Sequence, residues 1–217
     1  DAQNSHTTML LTVGGAQTNH GRLTCAVARK YGMKGAIVTT DPCPEEISAN
    51  LLLDTMMGCD VYFKKVKESQ SQGDALTEGI NEVIRQKEAE GEKVYYIPMG
   101  GSNELGILGY YDCGIELASQ IDRLGISNCR LVTTVGSMGT YMGLLTSILH
   151  QNLPIHLTGI GIMPYKQGIK NAAMDYFHRV NDFYRLNLDP TLSELDLISD
   201  YDRGAYNNPS PKVRQAM

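Results

Sequence analysis

The sequence predicts an α/β protein with parallel sheets flanked by helices, and two observations indicate this class. Short apolar runs alternate with segments of helical periodicity along most of the 217 residues, which is typical of parallel sheets. Several of these runs end in glycine-rich turns at the carboxyl ends of strands, where open α/β sheets bind ligands. We expect two winding series, with a smaller α/β lobe at residues 1–121 and part of a larger α/β lobe at residues 122–217.

The first half of the chain contains four strand-to-helix steps. The predicted strands are Met9–Val13, Gly35–Val38, Val61–Phe63 and Val94–Ile97. Apolar residues at helical spacing predict helices over residues 19–31, 74–90 and 105–121. Proline and acids favour a first helical turn, so another helix is expected to begin at Pro44-Glu45-Glu46. Its predicted core-facing residues are Ile47, Leu51, Leu52 and Met56.

The second half repeats this alternation and then loses it. The predicted strands are Arg130–Val135 and His156–Ile162, and the predicted helices are Tyr141–His150 and Lys166–Tyr184. From about residue 189 onward, acids, aromatics and turn residues replace the periodic pattern. A last helical turn is expected over residues 212–217.

Composition and charge narrow the functional classes. The formal net charge is −5 and no basic run occurs, so neither a nucleic acid nor a membrane surface is expected as a partner. No apolar stretch approaches the roughly 20 residues of a transmembrane helix. The five cysteines are scattered and form no CxxC pair. They predict reduced thiols of a cytoplasmic protein, with no zinc site and no disulfide framework.

The stretch from residue 9 to residue 31 carries the first candidate site. Its strand ends at Gly14-Gly15, and the polar run Gln17-Thr18-Asn19-His20 follows at the expected start of a helix. Free N–H groups at a helix N-terminus favour an anion, and glycines let the backbone approach a ligand. An ordinary strand exit followed by an N-cap residue would give the same pattern. The turn indicates either an anion or cofactor site or a plain helix cap.

The second candidate site is the run Gly136-Ser137-Met138-Gly139-Thr140, which follows a predicted strand and opens a helix. Backbone N–H groups and two hydroxyls in such a turn can hold a phosphate group. A P-loop would need a lysine directly before Thr140, and a dinucleotide site would need an acid at the end of the next strand. Neither is present, so a nucleoside triphosphate and NAD are both disfavoured. A plain strand-to-helix turn remains the alternative.

A third turn, Gly100-Gly101-Ser102-Asn103, follows the predicted strand that ends at Ile97. Two glycines and two small polar residues favour an anion there as well, although a structural connection would look similar. Each of the three turns is weak evidence for a ligand site by itself. Together they indicate a ligand-binding α/β protein, because all three stand at the carboxyl ends of strands.

Four segments resemble one enzyme family, the D-cysteine desulfhydrases and 1-aminocyclopropane-1-carboxylate (ACC) deaminases. The segments are GGAQTNHGRLTCAVARKYGMKGAIV, IPMGGSNELGILGYYDCGIEL, TTVGSMGTYMGLL and DYDRGAYNNP, and they occur in the family's order across almost the whole chain. The family consists of fold-type-II enzymes that use pyridoxal 5′-phosphate, related in fold to the tryptophan synthase β subunit. His20 and the run Gly100–Asn103 are more similar to the desulfhydrase branch.

The resemblance implies a role for each matched residue. Asn19 would hydrogen-bond the ring hydroxyl of the cofactor, and Gln17, Thr18 and Asn19 would contact the substrate. Thr18 would bind the substrate carboxylate and help proton transfer, His20 would be an acid–base group or support the turn from behind, and Tyr206 would face the substrate side of the ring. The phosphate would be held by Gly136, Ser137, Met138, Gly139 and Thr140, with Met138 narrowing the loop.

The reaction implied is a β-elimination or deamination of a small amino acid, by a homodimer without nucleic-acid or membrane partners. A D-cysteine desulfhydrase would release a 2-oxo acid, ammonia and sulfide, whereas an ACC deaminase would release a 2-oxo acid and ammonia. Two other classes stay open. One is a non-catalytic protein that binds pyridoxal phosphate or another phosphate compound, and the other, more distant, is an NAD-binding oxidoreductase.

The chain also departs from the family pattern. Family members hold the cofactor through a lysine Schiff base in a Gly-Gly-Asn-Lys run upstream of the first strand, and no such run occurs here. The lysines at positions 30, 34, 64, 65 and 67 are expected at helix faces or strand ends, pointing to solvent. No counterpart of the family's C-terminal segment follows residue 217. We expect this sequence to be the middle of a longer enzyme and to be inactive alone.

Overall fold

Strands and helices alternate along the chain, as the sequence predicts. The structure is a computed structural model that describes residues 2–204 and 210–216. It forms two units, Asp1–Gly101 and Ser102–Met217, and each has its own parallel sheet. Within the described residues, no helix is long and apolar enough to span a lipid bilayer.

The first unit is built on a four-stranded parallel sheet. Its strands are β1 (Met9–Val13), β2 (Lys34–Thr39), β3 (Asp60–Phe63) and β4 (Val94–Tyr96), in the order β3-β2-β1-β4. Its helices are α1 (Asn19–Lys30), α2 (Ala49–Met56), α3 (Gln72–Ala89) and the short 3₁₀ helix Met99–Gly101. All five residues of β1 are buried, as expected for a central parallel strand covered on both faces.

The second unit contains a three-stranded parallel sheet. Its strands are β5 (Cys129–Val135), β6 (Ile155–Gly161) and β7 (Asp196–Ile198), in the order β5-β6-β7. Its helices are α4 (Leu108–Arg123), α5 (Gly139–Gln151), α6 (Ile169–Tyr184) and α7 (Pro211–Ala216). The core of this unit centres on Tyr141 and Phe177, both fully buried. Strand β7 was not predicted from the sequence, because three residues are too few to show a period.

The sequence prediction for α2 was wrong at its start and on its buried face. The helix begins at Ala49, not at Pro44, and Ala49 itself has a positive φ of 49°. Of the four apolar residues expected in the core, Leu51 is buried, whereas Ile47, Leu52 and Met56 are exposed. Tertiary contacts at the start of α2, described below, override the local preference for a helix at Pro44.

The division between the units also differs from the predicted one. It falls between Gly101 and Ser102, not between residues 121 and 122, because α4 packs closely on α5. A Cβ atom on Gly143 of α5 would lie only 2.5 Å from the backbone oxygen of Ile107. This close approach of two backbones makes α4 part of the second unit.

Candidate functional site

The turn between β1 and α1 is held by side chains that accept backbone hydrogen bonds. Asp41 Oδ2 accepts from the Ala16 N–H at 2.7 Å, and Thr18 Oγ1 accepts from the Gly21 N–H at 3.2 Å. Thr18 is the N-cap of α1, with extended backbone angles. Both bonds satisfy backbone donors that the end of β1 and the start of α1 leave unpaired.

Gln17 and Asn19 stand exposed on this turn and are joined by Asn50 of α2. Asn50 donates from Nδ2 to the Gln17 carbonyl and to Asn19 Oδ1, both at 2.9 Å. In return, Gln17 Oε1 accepts from the Asn50 N–H at 2.9 Å. The three side chains form one polar network at the N-termini of α1 and α2.

His20 is directed away from this network, into the first unit. Its Nε2 lies 2.6 Å from Thr12 Oγ1, which itself donates to the Ile97 carbonyl at 2.8 Å. Since the threonine proton is committed to that carbonyl, Nε2 is the donor to Thr12. Burial lowers the pKa of His20 more than the Pro98 backbone carbonyl, which could accept only from the second N–H of a protonated ring, raises it. A neutral imidazole therefore ties α1 to β1 and to the segment after β4.

The loop Gly136–Thr140 joins β5 to α5 in the second unit. Ser137 is exposed, Met138 and Gly139 are buried, and α5 begins at Gly139. The first N–H groups of a helix have no intrahelical acceptor, and the helix dipole makes this end attractive to anions. Tyr165 fixes the loop, because its hydroxyl donates to the Gly136 carbonyl. Burial raises the pKa of Tyr165 to about 12, so the hydroxyl stays protonated.

Ser102 contacts the loop Gly136–Thr140, and the sequence did not predict this contact. Its hydroxyl donates to Ser137 Oγ at 2.7 Å and accepts from the Gly139 N–H at 3.2 Å. A Cβ on Gly139 would lie 2.6 Å from Ser102 Oγ, so glycine is required for this approach. The motif Gly100–Asn103 was recognised, but not that its serine would reach the loop of residues 136–140.

The segment that carries Ser102 is tied to α6. Arg179 Nε donates to Glu104 Oε1 at 3.0 Å, and the Tyr184 hydroxyl donates to the Glu104 carbonyl at 2.8 Å. The Arg179 guanidinium also lies 4.8 Å from the centre of the Tyr176 ring, within the range of a cation–π contact. These contacts tie the segment that carries Ser102 to α6.

Met138 does not narrow the loop, contrary to expectation. Its backbone is left-handed, with φ 69° and ψ −12°, a conformation that favours glycine. Its side chain is 5% exposed and belongs to the core of the second unit. The methionine side chain turns inward and fills volume in the core of the second unit.

Four of the five lysines considered from the sequence have partners that a cofactor-binding lysine would not need. Lys34 pairs with Glu92, Lys64 with Glu82 at 2.8 Å, and Lys67 with Glu78 at 3.1 Å. Lys30 lies over the Tyr31 ring. These contacts are those of ordinary surface lysines.

The structure thus brings Gln17, Thr18 and Asn19 together on one turn, and the residues 136–140 on another. Each turn belongs to its own unit. His20 lies behind the first turn, and Tyr206 lies outside the described residues. Sequence reasoning missed Thr12, Asn50 and Ser102, whose partners are distant along the chain and leave no local signal.

Comparison with known proteins places this chain in a family. A family model described as pyridoxal-phosphate dependent enzyme matches residues 2–217. The chain belongs to this family, and pyridoxal phosphate is the cofactor of its members. The predicted α/β fold with parallel sheets flanked by helices is confirmed.

Three relatives illustrate the range of named proteins that the chain is similar to. A D-cysteine desulfhydrase of Serratia proteamaculans is 31% identical over 75% of this chain and 49% of its own length. A 1-aminocyclopropane-1-carboxylate deaminase of Rhizobium rhizogenes is 28% identical over 100% of this chain and 65% of its own length. The solved structure of an ACC deaminase homologue has a TM-score of 0.78 at 24% identity, over 96% of this chain and 60% of that one. The matched part of the chain therefore spans between 49% and 65% of the length of these relatives.

The loop of the second unit fits the phosphate of pyridoxal phosphate. It offers the N-terminus of α5 together with the hydroxyls of Thr140 and of Ser137, whose proton stays available because Ser137 accepts from Ser102, and residues 133–140 include no acid. Because Gly139 has no Cβ, the Ser102 hydroxyl can approach its N–H and hold the loop in place. Hydroxyls and helix N–H groups suit a phosphate dianion without a charged side chain.

Proposed function

We propose that the full-length protein is a pyridoxal-phosphate-dependent lyase or deaminase of small amino acids, with D-cysteine desulfhydrase activity. The proposal rests above all on the loop Gly136–Thr140 and its Ser102 partner, which suit a phosphate group. It draws support from the family and from relatives named for both activities. When bound, the cofactor supplies an electron sink for the carbanion formed at the substrate.

The proposed tasks of this chain's residues are binding, orientation and proton handling. Residues 136–140 hold the phosphate, with Met138 contributing through its backbone, and Asn19 binds the ring hydroxyl. Thr18 Oγ1 accepts from Gly21, which leaves its own proton available for the substrate carboxylate. Gln17 shapes the same turn, His20 supports it from behind, and Tyr206 remains a predicted substrate-side residue.

The proposed reaction begins with removal of the substrate α-proton or of another proton activated by the ring. Loss of the β-thiol group and addition of water then give a 2-oxo acid, ammonia and sulfide from D-cysteine. The protein is further proposed to be a cytoplasmic homodimer, in keeping with its free cysteines. We also propose that this chain alone is inactive, since the lysines at positions 34, 64 and 67 are engaged with carboxylates.

The activity is tested on the full-length protein with two substrates. Sulfide release from D-cysteine is expected to exceed 2-oxobutyrate formation from ACC, and Asn19→Ala is expected to reduce it. The reverse preference would make the protein an ACC deaminase, the second candidate that the relatives support. Cofactor binding without either product would make it a binding protein and would overturn the enzymatic proposal.

A further inference from the structure

Asn50 contacts the turn that carries Asn19 from the first turn of α2, 31 residues further along the chain. It makes three hydrogen bonds to that turn, each 2.9 Å long. Two come from its side-chain amide nitrogen, to the Gln17 carbonyl and to Asn19 Oδ1, and one comes from its backbone N–H to Gln17 Oε1. No motif in the sequence assigns a role to this residue.

The bond to the Gln17 carbonyl determines which way the Asn50 amide points. A backbone carbonyl can only accept a hydrogen bond, so the side-chain atom of Asn50 that faces it must be the NH₂ group. The same NH₂ group faces Asn19, so the atom of Asn19 that meets it must be the oxygen. The NH₂ group of Asn19 then lies on the opposite edge of its planar amide group from the oxygen that meets Asn50.

We propose that Asn50 is a positioning residue that fixes the Asn19 amide so that Asn19 offers an N–H donor to the ring oxygen of the cofactor. This inference rests on the proposed function, because it concerns the site where the cofactor ring binds. A donor favours the ionised form of that oxygen, whereas an amide oxygen in the same place would repel it. Orientation of the amide, and not only its presence, therefore sets the strength of the contact.

Asn50 is itself held firmly. Gln17 Oε1 also accepts from the Leu51 N–H at 3.4 Å, and Gln17 Nε2 donates to the Ser48 carbonyl at 3.1 Å. The chain enters α2 through the left-handed residue Ala49. Gln17 thus holds the start of α2 against the turn, and Asn50 is kept beside Asn19.

The sharpest test is Asn50→Asp in the full-length protein. Aspartate has nearly the same shape but can only accept, so its bond to the Gln17 carbonyl is lost. The Asn19 NH₂ group turns towards the aspartate, and the Asn19 oxygen takes the outward position. An acid in the first turn of α2 is favourable for the helix, so folding is retained. We expect pyridoxal phosphate to bind the apoprotein about ten- to a hundredfold more weakly, the effect of losing one hydrogen bond to a charged group.

Two further measurements separate positioning from a general structural effect. The visible absorption of the bound cofactor is expected to shift towards the form with a protonated ring oxygen in Asn50→Asp. The exposed control Ser48→Ala, whose side chain makes no capping bond, should leave affinity and spectrum unchanged. In an Asn19→Ala background, Asn50→Asp should add little, because the two residues act through one contact.

Equal affinities for Asn50→Asp and Ser48→Ala would overturn the inference. An undiminished effect of Asn50→Asp in the Asn19→Ala background would overturn it too, because Asn50 would then act without Asn19. These readouts do not depend on turnover. A protein that binds the cofactor but releases no sulfide or 2-oxo acid refutes the proposed function. The inference about Asn50 is then still decided by the affinities and the spectrum.

Discussion

The turn before α1 and the turn before α5 have the same local construction but are held by different means. In both, a parallel strand ends in a glycine-containing turn that opens a helix, although β1 is buried throughout and β5 is half exposed. The first turn has a side-chain N-cap, Thr18. The second has the left-handed Met138 at the N-cap position without a side-chain capping bond, and Ser102 reaches in to accept from Gly139.

This difference indicates what each turn can do. The first turn presents side-chain amides and hydroxyls whose orientation is set by neighbours, which suits a ligand recognised by directional hydrogen bonds. The second presents a helix N-terminus and hydroxyls, which suits a compact anion. Four changes test the comparison, beginning with the largest expected effect.

Gly21→Ala should damage the first turn most. A Cβ on Gly21 would lie 2.3 Å from Thr18 Cγ2 and 2.7 Å from Ile37 Cδ1, so both the cap and the sheet contact must shift. Overpacking and a lost N-cap together predict a loss of about 2–4 kcal/mol in the free energy of unfolding. Urea unfolding of the full-length protein measures it.

Gly73→Ala is the matched control in the same unit. It lies in α3, and the nearest atom to its Cβ would be Ser71 Oγ at 3.9 Å. Alanine there should change stability by less than about 1 kcal/mol. If Gly21→Ala were as stable as this control, the close contact between Gly21, Thr18 and Ile37 would not exist in solution.

Met138→Gly sets two effects against each other in the second turn. Glycine relieves the left-handed backbone, a gain of about 1–2 kcal/mol, but it removes a buried side chain, a loss of about 2–5 kcal/mol. The loss should exceed the gain, so the free energy of unfolding, measured in urea, should fall by about 1–3 kcal/mol. Met138→Leu keeps the volume and should cost less than about 1.5 kcal/mol. A more stable glycine variant would show that backbone strain, not core filling, dominates this position.

The sequence predicted the strands and glycine turns well because their signals are local. Met9–Val13 and the start of α1 at Asn19 were predicted as observed, whereas α5 was predicted from Tyr141 and begins at Gly139. The contacts that orient the turns were not predictable. Asn50 and Ser102 act on partners 31 and 35 or more residues away, and neither a period nor a motif encodes such pairs. The start of α2 was wrong for the same reason, since Gln17 holds it from a distance.

Ser102→Ala should weaken the second turn without unfolding it. It removes the acceptor of the Gly139 N–H and the donor to Ser137, so about 0.5–1.5 kcal/mol of stability should be lost. Affinity for pyridoxal phosphate, measured on the apoprotein, should fall about tenfold or less. The exposed Ser127→Ala is the control for a serine lost elsewhere in the unit. Unchanged affinity would show that Ser102 does not contribute to a phosphate site.

His20 gives the first turn a pH dependence that the second turn lacks, because residues 136–140 include no titratable side chain. Burial lowers the pKa of His20 below its ordinary value of 6.5, so the unfolded chain takes up a proton near that pH while the folded chain does not. Stability should therefore be complete above pH 6.5 and decline as the pH falls below it, by at most about 1.4 kcal/mol per pH unit. Urea unfolding between about pH 8 and pH 5 should show a steeper decline for the wild type than for His20→Gln. The other four histidines are common to both proteins, so parallel curves would mean that His20 is protonated in the folded state as easily as in the unfolded one.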